Sequence, residues 1–146
     1  DADEFEGQAT AGMAALHDGR RRAARDHLER AIALYRGDFL ADDPYAEWAL
    51  RERDRLRGVA SEVLRVLVDL VTIPERAHYL EELAELEPFD DDVHRDLVTT
   101  WLLTGRRSRA ARHYESFRVR LMRAFGEPPG FELCDLIHTL EAQRSA

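Results

Sequence analysis

The sequence predicts an all-α chain built as a stack of antiparallel helix hairpins, and three observations carry that reading. In LVTTWLLTGRRSRAARHYESF, residues 97–117, apolar side chains recur at three- and four-residue steps on both sides of a break at Gly105. Leu97, Val98, Trp101 and Leu102 precede it, and Ala110, Tyr114 and Phe117 follow it. Gly105 can take the left-handed conformation that closes a helix at no steric cost, and small Ala110 lets the second helix lie close against the first. The second observation is that the pattern repeats. Gly19 is followed by Ala24, Leu28 and Ala31 and preceded by Gly12, and a weaker copy joins Leu64 and Val68 to Ala77, Leu80 and Ala84 before Pro88. The third is that the two-residue alternation of a half-buried strand is absent throughout.

One hairpin cannot bury its whole apolar face alone, so repetition is what its stability requires. These spacings resemble the tetratricopeptide repeat, which places small residues at helix-packing points, an aromatic in each helix and a proline at the end. With turns at Gly19, Thr72 and Gly105 the steps are 53 and 33 residues, against about 34 for that repeat. The fold expected is a tetratricopeptide-like right-handed stack of about seven helices with a C-terminal capping helix, a single domain over 1–146.

The elements follow in order. Acidic residues at the start favour a helix N-terminus, and Phe5, Ala9, Met13 and Leu16 share a stripe, which predicts a first helix from about Ala2 to His17. After Gly19 the second helix buries Ala24, Leu28, Ala31, Ile32 and Tyr35 and ends at Gly37. Pro44 suits the first turn of a third helix behind a cap at Asp43 or Asp42. From Tyr45 the helical pattern continues for more than 20 residues to Val71, making this helix the expected spine. Pro74 starts a fourth helix, which Glu87-Pro88 stops because a residue before proline avoids the helical region. Asp90 to Asp92 cap the fifth, and the sixth runs past Phe117 to Phe125 and Gly126. Pro128-Pro129-Gly130 forces a turn, and a last helix is expected to point Leu133, Leu136, Ile137 and Leu140 inward, with Cys134 buried among them.

Composition narrows the function classes. With 45% hydrophobic and 34% charged residues the chain is globular, and no run approaches the roughly 20 apolar residues of a membrane span. No secretory signal is visible. A formal net charge of -8 argues against this piece alone gripping nucleic acid, because phosphate binding needs a concentrated positive surface. Cys134 is the one cysteine and suits a reducing cytoplasm. No phosphate loop, nucleophile elbow or placed serine and histidine is present, so neither an enzyme nor a cofactor is expected.

Three surfaces remain as candidates. Arg106, Arg107, Arg109 and Arg112, continued by Arg118, Arg120 and Arg123, read either as a solvated outer face or as a docking patch for an acidic partner or for DNA flanking a bound site. Phe39, Leu40, Tyr45 and Trp48 form an apolar cluster that closes the gap between repeats or presents a surface to a partner helix. In the repeat register, Met13, Leu16, Glu62, Arg65, Asp69, Arg95, Thr99 and Leu102 line a concave groove of mixed charge, which suits a peptide or helix segment. The spacings Glu75/His78, Asp91/His94 and Asp135/His138 share helix faces but are what coincidence gives in an acidic chain, and no metal is expected.

Taken together, LYRGDFLADDPYAEWALRERDRLR, then helix pairs, then LLTGRRSRAARHYESFRVRLMRAFGEPPGFEL resemble the bacterial transcriptional activator domain (BTAD) of SARP-type antibiotic-pathway regulators. The most specific matches are Tyr35 to Gly37 with Asp43-Pro44, the Gly105-Arg106-Arg107 turn with Ala110 and Tyr114, and Phe125-Gly126 followed by Pro128 or Pro129. The turn at Val71 to Pro74 lacks the usual glycine, and Pro129-Gly130-Phe131 replaces a more polar helix start. The resemblance implies a cytoplasmic, non-catalytic regulatory module of a transcription factor. Such a module works by dimerisation, by contact with a DNA-binding winged helix absent from this stretch, or by contact with the transcription machinery such as RNA polymerase. The alternative is a tetratricopeptide-like scaffold or small-ligand sensor of another signalling protein.

Overall fold

Two glycines with positive φ set the hairpin turns that the spacing predicts. The structure, a computed structural model, describes residues 1–38 and 47–145, with the side chains of 38 and 47–49 outside that description. The described residues form seven helices and no strand, in two compact units, 1–71 and 72–146. None of these helices is long and apolar enough to cross a membrane.

In the first unit the Asp1 carboxylate accepts the Glu4 amide at 2.8 Å and starts α1 (Ala2–His17). Gly19, at φ 78°, lets the Arg20 amide return to the Ala15 carbonyl (2.9 Å) and its own amide to Leu16 (3.0 Å), which satisfies carbonyls the helix end would leave open. The chain reverses into α2 (Arg21–Asp38), one residue beyond the stop expected at Gly37, which does not take a positive φ. α3 (Glu47–Leu70) packs on α2 and α1 through Leu56, Val63, Leu64 and Leu67, and Arg55 bridges from Glu52 across to Glu6 of α1.

α1 approaches α2 closely at Gly12. A Cβ there would lie 2.5 and 2.6 Å from Cδ2 and Cγ of Leu28 and 3.3 Å from the Ala24 carbonyl oxygen. Leu28 is fully buried, so it cannot swing into solvent to make room. Gly12→Ala should therefore destabilise by about 1–2 kcal/mol, overpacking outweighing the helix propensity that alanine adds. A urea midpoint equal to that of the parent chain would contradict this.

In the second unit, Pro74 sits in the first turn of α4 (Ile73–Leu86) and Asp90 caps α5 (Asp91–Leu103), its carboxylate accepting the amides of Asp92 (3.0 Å) and Val93 (3.3 Å). Gly105, at φ 76°, repeats the Gly19 turn bond for bond, with Arg106 N–H to Trp101 O (2.7 Å) and Gly105 N–H to Leu102 O (3.2 Å). α6 (Arg107–Phe125) follows and ends at Gly126, φ 68°, as expected. The middle hairpin expected of residues 64–84 would join the two units, and within the second unit the partner of α4 is α5.

The last helix, α7 (Leu133–Arg144), departs from expectation. It has no fully buried residue: Leu133, Leu136, Ile137 and Leu140 are half-buried, and Cys134 is exposed rather than buried. At 3.6 residues per turn, Cys134 lies about 100° around the helix from Leu133 and falls off the inward stripe. The buried contact at this end comes instead from Phe131 in the preceding turn, 6.1 Å from the Phe117 ring.

Candidate functional site

The Gly105 turn places the end of α5 beside the start of α6, and a cleft of about 730 Å³ opens there against the start of α4. Its floor is Trp101, 7% exposed, with Ala77 and Pro74; Ile73 and Leu103, each 42% exposed, stand at its edges. Arg109 and Arg106 flank the indole, their guanidinium carbons 5.1 and 5.8 Å from its ring centroid. An arginine over an indole face is held by the ring quadrupole with its N–H edges left outward. α6 begins at Arg106 with no side-chain cap and no acidic residue in its first turn, so the positive end of its dipole adds to the two arginines. Glu81 is the carboxylate in the lining; His78, also there, lies 3.3 Å from Glu82.

The arginine patch expected from the sequence is thus divided. Arg106 and Arg109 belong to the Trp101 cleft, whereas Arg107 turns to Glu141 of α7 (3.2 Å) and Arg112 is exposed. Arg118 pairs with Glu115, and Arg120 donates to the Ser116 carbonyl (3.4 Å).

The groove residues are placed as follows. In the first unit Met13 and Glu62 come together, lining a cleft of about 270 Å³ with Ala9 and Val59. Leu16 is half-buried, Arg65 and Asp69 are exposed, and the Asp69 carbonyl accepts from Arg21 at 3.4 Å. In the second unit Arg95 is engaged with the turn before α7: it donates to the Gly130 carbonyl (3.3 Å), sits 5.5 Å over the Phe131 ring and lies 3.5 Å from Asp92. Thr99 is half-buried, and Leu102, 6% exposed, faces Ile137 and Leu140 of α7. The cluster of Phe39, Leu40, Tyr45 and Trp48 lies outside the described residues.

One constellation escaped sequence reasoning. His94, fully buried, stacks on Phe117 with centroids 4.0 Å apart and rings 7° from parallel. Its Nε2 lies 3.0 Å from the Glu87 carbonyl and its Nδ1 2.8 Å from Nε2 of His113. A carbonyl only accepts, so His94 Nε2 carries the proton and His94 Nδ1 accepts from His113. Burial pushes both rings below the ordinary histidine value, His113 to about 4 with the His94 and Arg120 charges adding to the effect. The same register occurs in the first hairpin, where His27 meets Gln8 at 2.8 Å, again 19 residues apart. Asp91/His94 is therefore not a ligand pair here, and among the described residues no group of three or more His, Cys, Asp or Glu side chains is placed to hold a metal ion.

Compared with known proteins, residues 1–141 match the family model of the bacterial transcriptional activator domain. No curated protein and no solved structure matches the chain.

Proposed function

The chain belongs to the bacterial transcriptional activator domain family, and from that premise we propose that it is a non-catalytic protein-contact domain, through which an activator engages another protein of the transcription apparatus. The observation that carries this reading is the Trp101 cleft. Exposed Ile73 and Leu103 beside a shielded indole, with arginines on the rim, have the make-up of an interface centre, where apolar anchors and arginine supply most of the binding energy. The cleft lies open along the meeting of three helix ends, which suits an extended segment of a partner.

The test is made in cells that depend on the regulator. Arg106→Glu with Arg109→Glu should lower the transcripts it activates about tenfold, the effect of losing about 1.4 kcal/mol of contact energy, while the amount of regulator and its occupancy on DNA stay unchanged. Undiminished transcription would overturn the reading.

A further inference from the structure

We infer that the Trp101 cleft takes a short acidic segment of a protein partner, one that carries a bulky apolar side chain between its carboxylates; the inference rests on the protein-contact reading above.

The apolar half of the argument is the floor. Trp101, Ile73 and Leu103 converge on a space of about 730 Å³, large enough for a large side chain and the backbone on either side of it. Ile73 and Leu103 each leave nearly half their surface in water, and covering them is a gain available only to a partner with an apolar group at this point.

The polar half is the rim. Several arginines elsewhere already have carboxylate partners, among them Arg25 with Glu29, Arg55 with Glu52 and Glu6, and Arg118 with Glu115. Arg106 and Arg109 make no ion pair among the described residues, although the chain as a whole is acidic. They lie instead beside the Trp101 ring, 5.8 and 5.1 Å from its centroid, and a guanidinium drawn to a ring offers its N–H pairs to a carboxylate with less ordering cost than a free one. The uncapped first turn of α6 adds positive potential on the same side. Although Glu81 also lines the cleft, the two guanidiniums leave its charge positive in a chain of net charge -8, which favours an acidic segment docking here.

A DNA backbone fits the cleft less well. Duplex phosphates need a row of cations, which exposed Arg112 could extend but Arg107, drawn off to Glu141, does not; the apolar floor, however, has no counterpart on a phosphate backbone.

The experiment is a fluorescence-anisotropy titration of the purified chain with a labelled short peptide in which one leucine is flanked by aspartates. Binding should weaken about tenfold in Arg106→Glu/Arg109→Glu, weaken again when the leucine becomes alanine, fall with added salt, and vanish when lysines replace the aspartates. Both arginines are exposed, so the double variant should keep its circular dichroism, which removes misfolding as an explanation. Absence of binding, unchanged binding by the double variant, or equal competition by a short DNA duplex would each overturn the inference. If the peptide fails while the double variant still silences transcription in cells, the acidic occupant is wrong and the protein-contact reading survives. If transcription is unaffected as well, both fall.

Discussion

Phe117→Ala is expected to remove about 4 kcal/mol of stability from the second unit. Phe117 has no solvent exposure; it stacks on His94 and lies near-parallel to Phe131, the planes 20° apart. Truncation opens a cavity between α5 and α6, uncovers the histidine pair and leaves Phe131 with Tyr114 as its remaining ring neighbour at the entrance to α7. Domains of this size hold about 5–15 kcal/mol in total, so the loss is a large share. Urea unfolding followed by circular dichroism measures it, with Phe117→Leu as the volume-restoring control, expected to cost about 1.5 kcal/mol. An alanine variant within about 1 kcal/mol of the parent would show that the stack does not hold the unit together.

Acidification should destabilise the same unit through the histidine pair. Burial holds His113 neutral down to about 4 in the folded chain, whereas the unfolded chain protonates it near 6.5. A lowered histidine value means the unfolded state takes up the proton first, so stability is complete above about 6.5 and falls as the pH drops toward 4. The His113 ring is only part-buried and solvent screens it, so the window is worth about 1–2 kcal/mol. Carboxylates held low by arginine, Glu52 and Glu115, also lose stabilising pairs in acid, so the diagnostic quantity is a difference between variants. His113→Gln, which keeps a donor toward His94 but does not titrate, should lose clearly less stability than the parent between pH 7.5 and 4.5. Equal losses in the two chains would assign acid sensitivity elsewhere.

Much of the fold was legible because it depends on single residues with one conformational role. Gly19, Gly105 and Gly126 all adopt the positive φ their positions suggested, Pro74 opens α4, and Asp90 caps α5. The site was legible only in pieces. Trp101 is buried as its place in the helix pattern suggests, and Arg109, read either as an outer face or as a docking patch, is exposed; their contact arises because they stand four residues before and after the Gly105 turn, where an antiparallel hairpin brings its rows of side chains together. The same reasoning would have paired His94 with His113, eleven residues before the turn and eight after it. Cys134 was misplaced because neighbouring leucines suggest burial by composition, while exposure on α7 is decided by angle around the helix.

A protein segment held in the Trp101 cleft should be trappable there. A photoreactive benzophenone side chain placed at Leu103 in the intact regulator, irradiated in cells during active transcription, tests it most directly, with mass spectrometry of the products. The expected product is a crosslink to a defined stretch of a second protein, rich in aspartate and glutamate, that disappears with Arg106→Glu/Arg109→Glu. Crosslinks confined to DNA, or a protein crosslink indifferent to the two arginines, would contradict it.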